Sequence, residues 1–415
     1  MILQAAVALV ALAAMLVTVV ARPQRWVEVA VGTAAATAVL VSRAVTVAGA
    51  RTEVAHLSSV VAFLVVVFVL AQALSALGLF TALGARLGQV GAGSPVRMLR
   101  LTFAAGAATT ATLSLDATVV LLTPVVSEAA RHQGIDPRPH EVACARLANS
   151  ASLLFPVSNL TNLLAFGATG LSFVGFTVAT APAWLVAVAL EYAVVRRWFR
   201  ARLRAAGHAR QQPVPSLPRF PVVLIGVVLA GFVVTSPWRI APAWIAGVGA
   251  LVAVAWTLRT GVQRPRDILV AANLPFAWFV LCWAVVVAAV GASVLPSVLD
   301  PLVPAGSGLV DLLAVALLAT VAANVMNNLP ATLLLVPVVA PLGSTALLAM
   351  LVGVNLGSNA TYVGSLANLL WRRTLELCST APRPGDFSGL GLVSTLPLVG
   401  AVTVVLWAWT SLIGG

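Results

Sequence analysis

Lysine is absent from this chain of 415 residues, and charge of either sign is scarce. Asp, Glu, Lys and Arg together make up 9% of the residues, where an ordinary soluble domain has roughly a quarter. With 60% hydrophobic residues, that scarcity excludes a water-soluble globular protein. Cysteine is thin as well: Cys144, Cys282 and Cys378 stand far apart, with neither metal-ligand spacing nor a disulfide framework. A soft-metal thiolate site would need clustered cysteines, so an enzyme or sensor built on one is not expected, nor is any metal or cofactor. Long polar stretches are missing too. The longest, Arg196 to Pro218 and Arg372 to Gly389, are only loops; they leave no room for a sizeable catalytic domain, and the chain is not expected to be an enzyme.

The basic residues are all arginine, 24 against 12 acidic residues. In a chain this apolar such an excess reports topology rather than nucleic acid, because arginine-rich loops stay in the cytoplasm. About 20 helical residues cross a hydrocarbon core about 30 Å thick, and apolar runs of that length recur along the whole chain. Spans are predicted near 2–21, 27–49, 57–81, 142–167, 177–195, 220–236, 241–258, 276–298, 345–371 and 391–412. The first run, Ile2 to Ala21, lacks the basic leader of a cleaved signal and reads as a retained helix. Two further stretches, 98–130 and 308–341, are too long for one crossing and carry polar residues at their midpoints. Each reads as a re-entrant helical hairpin, since non-helical backbone at membrane depth must be buried in protein or face a cavity.

Arginine placement tests this layout. It puts Arg22, Arg25, Arg86, Arg97, Arg100, Arg131, Arg138, the loop 196–219, Arg259, Arg264, Arg266, Arg372, Arg373 and Arg383 on one side, the expected cytoplasm. The other side receives only Arg43, Arg51 and Arg239, together with both termini. The expected setting is the inner, or plasma, membrane. The chain then divides into two halves of opposite orientation, each three spans, a hairpin and two spans, an inverted repeat typical of secondary transporters. Residues 1–97 and 220–300 form the scaffold parts, 98–195 and 301–415 the transport parts, and 196–219 a basic cytoplasmic linker. Residue matches support the repeat: Asn149 and Asn162 stand at the offset of Asn355 and Asn368 (355 − 149 = 368 − 162 = 206). The hairpin tips correspond at a different offset (332 − 118 = 214). The expected fold is therefore all-α, about ten transmembrane helices plus two hairpins in two inverted repeats.

Asparagine carries the most information about chemistry, because a side-chain amide in hydrocarbon costs several kcal/mol unless it is hydrogen-bonded. Nine of the ten asparagines fall in two windows, 149–162 and 324–368. The candidate substrate-binding residues are Asn149, Ser152, Ser158, Asn159 and Asn162 in the first, and Asn327, Asn328, Asn355, Ser358, Asn359, Thr361, Ser365 and Asn368 in the second. Pro156 and Gly357 break the helices that hold them, and a broken helix offers free carbonyls and a positive N-terminal end to ions and polar solutes. Ser114, Thr118, Pro330 and Thr332 mark the hairpin tips. Asp116 is the only carboxylate predicted at a tip and far from either surface, which makes it the candidate for proton coupling. Glu191, late in the fifth span, reads as snorkelling to the cytoplasmic side, and Arg146 as a positive-inside anchor. His132, His140 and His208 fall in loops, and Trp238, Trp278, Trp283, Trp371, Trp407 and Trp409 at or towards span ends.

The motifs LDATVVLLTPVV (115–126), SASLLFPVSNLTN (150–162), NVMNNLPATLLL (324–335) and NLGSNATYVGSLANLLW (355–371) resemble those of the ArsB arsenite efflux permeases. These belong to an ion transporter superfamily that also holds sodium/proton antiporters and divalent-anion symporters. The resemblance implies proton-driven efflux of arsenite or antimonite as the neutral hydroxide, a scaffold with a mobile elevator-type transport domain, a homodimer, and in some members an ATPase subunit. It matches Asp116 to the family's hairpin aspartate, Asn327, Asn328 and Pro330 to an Asn-Asn-x-Pro pattern, and Ser158, Asn159 and Asn162 to the first broken span. The family tends to have an acidic residue where Asn355 stands and a lysine where Asn359 stands, and both charges are missing here. The rival within the superfamily is a sodium-coupled carrier of sulfate or dicarboxylates, or a sodium/proton antiporter, with carbonyls and Asn/Ser side chains holding sodium. A channel would need neither inverted repeats nor a titratable hairpin residue.

Overall fold

The computed structural model describes residues 2–21, 25–205, 216–238, 240–293, 304, 306, 308–377 and 385–413. Arg22, His208, Arg239, Cys378, Arg383 and the linker residues 206–215 lie outside them. The described residues are helical, without strands. In chain order the helices are α1 (Ile2–Ala21), α2 (Arg25–Val41), α3 (Val47–Ala76), α4 (Leu79–Gly91), α5 (Pro95–Thr112), α6 (Leu115–Ala117), α7 (Thr123–His132), α8 (Arg138–Ser150), α9 (Leu160–Thr169) and α10 (Phe173–Trp198). After the linker come α11 (Arg219–Thr235), α12 (Pro242–Arg259), α13 (Pro265–Ala272), α14 (Leu274–Ser293), α15 (Leu309–Met326), α16 (Asn328–Val339), α17 (Ser344–Leu356), α18 (Leu366–Leu377) and α19 (Leu390–Ile413).

Among the described residues, seven helices or runs of adjoining helices are long and apolar enough to cross a membrane. The stretches read as hairpins are each helix, break, helix: α5 turns at 113–114 into α6 and α7, and α15 turns at Asn327 into α16. The spans read as broken are broken: α8 and α9 are separated by residues 151–159, α17 and α18 by 357–365. Two boundaries differ from expectation. Helix α3 starts ten residues before the predicted span because Thr46 caps it, its Oγ1 accepting from the Gly49 N–H at 3.0 Å. At 30 residues it is about 45 Å long at 1.5 Å per residue, so its polar first turns with Arg51 and Glu53 project past a bilayer core about 30 Å thick. Helix α4, amphipathic and laid against α5 and α7, lies largely in a stretch assigned to no span.

Several apolar cores hold the helices together; the largest joins α3, α11 and α12 to α4, α5 and α7, and two others lie around it. In one, α1, α2 and α14 share an apolar core around Met15, Val39 and Trp283, while α3 lies along α12 and α14. In the other, α10, α15, α16, α17 and α19 enclose a core around Phe176, Leu312, Met350 and Leu351. Trp283 and Trp371 are buried rather than interfacial, the latter stacking with Tyr362 and Phe387 at centroid distances of 6.1 and 5.6 Å. At the polar rim Asp136 accepts from Arg202 Nη1 at 2.7 Å, and this hydrogen bond, reinforced by the Asp136 charge, holds the Arg202 guanidinium above its ordinary value.

Helices α15 and α17 touch most closely at Gly353, where a Cβ would lie 2.3 Å from the Ala316 carbonyl oxygen and 2.6 Å from Ala319 Cβ. Backbone on one side and a short side chain on the other leave nothing to rotate away. Gly353→Ala is therefore expected to cost about 1–3 kcal/mol by overpacking, read as a lower midpoint of thermal unfolding in detergent; an unchanged midpoint would show that the two helices can separate freely.

Candidate functional site

The hairpin tips are held by short polar side chains. At the first, Ser114 has extended backbone and caps α6, its Oγ accepting from the Ala117 N–H at 3.2 Å. Thr118 Oγ1 lies 2.7 Å from Thr110 Oγ1, tying the arms together. Directly after Asp116 and Ala117 the helix widens into a π-turn over residues 118–122; such turns are frequent at functional sites. At the second tip Asn327 takes φ +78° and ψ 153°, a backbone region nearly reserved for glycine and therefore strained, and its Nδ2 donates to the Val363 carbonyl at 3.1 Å. Asn328 and Pro330 fall in the first turn of α16, where proline is tolerated because no intrahelical N–H partner is lost. Thr332 Oγ1 donates to the Asn328 carbonyl at 2.7 Å.

The two broken helices repeat one hydrogen-bond pattern at the offset of 206. Asn162 Nδ2 donates to the Ser152 and Phe155 carbonyls at 2.7 and 2.9 Å; Asn368 Nδ2 donates to those of Ser358 and Thr361 at 2.9 and 3.0 Å. Ser152 Oγ donates to the Asn149 carbonyl and Ser358 Oγ to the Asn355 carbonyl, at 2.6 and 2.7 Å. The breaks also exchange bonds. Asn149 Nδ2 donates to Asn368 Oδ1 at 2.7 Å, and Asn355 Nδ2 to Asn162 Oδ1 at 2.7 Å. Asn355 Oδ1 accepts from Asn159 Nδ2 at 3.0 Å and Thr161 Oγ1 at 2.8 Å, whereas Asn149 Oδ1 is buried without a hydrogen-bond partner. Ser365 Oγ accepts from the Asn368 N–H at 3.1 Å. The second hairpin joins through Asn324, whose Nδ2 donates to the Gly357 carbonyl and whose Oδ1 accepts from Thr361 Oγ1, both at 2.8 Å.

Beside this crossing lies a small cavity of about 40 Å³. Its polar wall comes from both tips, Ser114 and Asp116 of the first and Asn328 of the second, from Ser158 and Asn159 of the first break, and from Thr161 in the first turn of α9. Its apolar wall comes from Phe63, Leu64 and Val67 of α3 and Phe276 of α14. No arginine lines it among the described residues. Five predicted site positions, Ser114, Asp116, Ser158, Asn159 and Asn328, thus meet at the cavity, with Thr161 beside them. Asn149, Ser152, Asn162, Asn355, Ser358, Asn359, Ser365 and Asn368 instead bond among themselves in the crossing, and Asn327 and Thr361 join it to the second hairpin.

Two readings of single residues are corrected. Glu191 does not snorkel and Arg146 is no surface anchor: they are 1% and 0% exposed and form a bidentate pair, Nε to Oε2 at 2.5 Å and Nη2 to Oε1 at 3.2 Å. Arg146 Nη2 also donates to Ser394 Oγ at 3.0 Å and Nη1 to the Asn359 carbonyl at 3.4 Å. Asn359 Nδ2 donates to Glu191 Oε1 at 3.1 Å, to Ser150 Oγ at 2.9 Å and to the Arg146 carbonyl at 3.0 Å. The first broken span therefore carries a buried arginine that does not line the cavity. The available signal was that Arg146 stands one turn before Asn149 on one helix face; its acidic partner, 45 residues away, carried none.

A helical membrane protein whose two hairpin tips and two broken helices converge on a small polar cavity belongs to the class of membrane transporters. The chain is a member of the citrate transporter family (CitMHS), whose profile matches residues 2–346. It is 28% identical to the arsenical pump membrane protein of Escherichia coli K12 over 317 residues, 71% of this chain and 73% of that one. It is 22% identical over 382 residues to the putative arsenical pump membrane protein of Bacillus subtilis 168, covering 83% and 86% of the two chains. The fold is similar to the crystal structure of the Alcanivorax borkumensis YdaH transporter, with a TM-score of 0.56 and 17% identity over 88% of this chain and 87% of that one.

Removing one member of a buried, hydrogen-bonded ion pair strands the other charge and costs about 3–5 kcal/mol, while replacing both by apolar residues costs far less. Arg146→Met is therefore expected to lower the unfolding midpoint sharply, and Arg146→Met with Glu191→Met to recover most of the loss. A double variant as unstable as the single one would show that the Ser150, Asn359 and Ser394 contacts, not the pair, carry the stability.

Proposed function

We propose that this transporter exports trivalent arsenite or antimonite as the neutral hydroxide in exchange for protons that load on Asp116. The observation that carries the reading is the lining of the cavity: one carboxylate, Ser, Thr and Asn side chains, and no cationic residue among those described. A neutral trihydroxide presents three hydroxyl groups, each a donor and an acceptor, which these side chains can match. A multiply charged carboxylate such as citrate would instead sit beside Asp116 with no fixed positive charge to offset it, in a space of about 40 Å³. The arsenical pump membrane proteins similar to this chain support the same choice.

In this mechanism Asp116, on the wall facing α3 and α14, takes up a proton from the side of higher proton activity and gives it up on the other, while the solute moves the opposite way. An ionised carboxylate at membrane depth is costly and a protonated one is not, so proton loading is what allows the polar tips to pass the apolar seam. The moving parts are assigned to 98–195 and 301–415, against a scaffold of 1–97 and 220–300 that also forms a homodimer contact in the inner membrane with both termini outside. An ATPase subunit, where present, would dock on the basic cytoplasmic face.

A second reading, sodium-coupled carriage of a divalent anion, is favoured by one feature: Asn149 Oδ1 is a buried acceptor without a hydrogen-bond partner beside the first break. Such oxygens suit a sodium ion.

Everted vesicles loaded by a proton gradient separate the readings. Arsenite accumulation that collapses with a protonophore, persists without sodium, and falls at least tenfold in Asp116→Asn is the expected result. Folded, inserted parent protein that moves no arsenite would sink the proposal, and sodium-dependent uptake of sulfate or a dicarboxylate would put the second reading in its place.

A further inference from the structure

A second, larger cavity of about 470 Å³ lies against the same three helices as the Asp116 cavity. On α3 it is lined by Glu53, where the inner cavity is lined by Phe63, Leu64 and Val67. On α14 it is lined by Ala284, Val287, Ala288 and Gly291, where the inner cavity has Phe276. On α16 it is lined by Leu333, Leu334, Pro337 and Val338, where the inner cavity has Asn328 and Leu329. At 1.5 Å per helical residue the nearest lining residues of the two cavities are about 15 Å apart on α3 (Phe63 and Glu53), about 12 Å on α14 (Phe276 and Ala284) and about 6 Å on α16 (Leu329 and Leu333). Three helices thus place the two cavities on one seam, one above the other, with the thinnest partition at α16.

The partition between them is an apolar cluster, Leu57 and Val61 of α3, Val280 and Ala284 of α14, Leu329 and Leu333 of α16, of which Leu329 also lines the inner cavity and Ala284 and Leu333 the outer one. None of these side chains carries a polar atom, and all but Leu333 are under 9% exposed. An apolar plug of this kind stops water and protons without any bond having to break when it opens. The outer cavity has room for many waters; Gly291 faces open space, and Glu53 is the only ionisable residue lining it among the described residues.

We propose that this outer cavity is the extracytoplasmic vestibule of the transport route, that Glu53 gives its mouth a cation-attracting field, and that the Leu57/Val61/Val280/Leu329/Leu333 cluster is the hydrophobic gate, closed here, between vestibule and Asp116. The side is assigned by the arginine segregation, which puts Arg51 and the segment after α16 outside. The proposal deepens the exporter reading, but the gate and vestibule stand on the seam itself.

Accessibility to membrane-impermeant thiosulfonates tests it, with Cys144, Cys282 and Cys378 replaced by alanine and monodisperse elution as the folding control. Ala288→Cys is expected to react from outside intact cells and not from the lumen-inverted side, with a cationic reagent favoured several-fold over an anionic one. Glu53→Gln should narrow that preference. Leu64→Cys, behind the gate, should react at least tenfold more slowly, and Leu333→Ala should raise its rate about tenfold while leaving position 288 within twofold. Reaction at 288 only from the cytoplasmic face overturns the sidedness, no reaction there from either face overturns the vestibule, and equal rates at 64 and 288 overturn the gate. Labelling needs no substrate, so an absence of arsenite transport would overturn the proposed function and leave these results standing.

Discussion

The structure depends on one constraint, that side-chain amides buried at membrane depth must find partners inside the protein. Two helices are broken at their middles, and each break frees carbonyls that a continuous helix would have used. Asn162 and Asn368 each cap two carbonyls of their own break, and through their Oδ1 atoms each accepts from the other break, from Asn355 and Asn149. Local repair and long-range pairing are thus performed by the same two amides. Neither break satisfies itself alone, so the two cross only in this arrangement, and the hairpins follow because Ser158 Oγ reaches the Ala111 carbonyl of the first and Asn324 bonds the second break.

That architecture was legible in the sequence to the extent that polar side chains in an apolar chain must be placed for a reason. Clustered asparagines with nearby Pro156 and Gly357 marked both breaks, and the polar midpoints of 98–130 and 308–341 marked both hairpins. The offset of 206, read from two pairs of asparagines, extends to Ser152/Ser358 and to the carbonyls of Phe155 and Thr361. What was not legible depended on which face a residue presents. Arg146 and Glu191 look like ordinary span-end charges, and only the packing of α8 on α10 sets them together; Trp283 and Trp371 look interfacial until their neighbours are known. The cavity's apolar wall, from Phe63 and Phe276, could not be separated from other aromatic residues in spans.

The charge inventory around the crossing follows from the same packing. The relatives suggested by the motifs carry an acid and a lysine where Asn355 and Asn359 stand. Here Asn355 works as a neutral donor and acceptor between Asn162, Asn159 and Thr161, and Asn359 turns its amide towards Glu191, Ser150 and the Arg146 carbonyl. The charges that remain are paired, bidentate and sealed one layer back, so they contribute little field to the cavity. This leaves Asp116 as the charge on the cavity wall, an electrostatic setting that suits an uncharged solute and a mobile proton.

The two kinds of contact divide the labour of movement. Within the broken-helix group the bonds are directional, mostly 2.6–3.1 Å, and mutually dependent; shifting one member strands another buried group. Across the seam to α3 and α14 the contacts are apolar side chains such as Leu57, Val61, Val280 and Leu329, whose attraction is non-directional and roughly proportional to area. Sliding along such a surface exchanges one apolar contact for another at little cost, whereas sliding through the crossing would break hydrogen bonds with no water to replace them. If the scaffold and transport parts move as proposed, the seam that holds Asp116 and both hairpin tips is a plane along which no hydrogen bond of the crossing has to break. A displacement there would expose the polar cavity while the crossing stays intact, and the proposed opening on one side at a time relies on this asymmetry of contacts more than on any single residue.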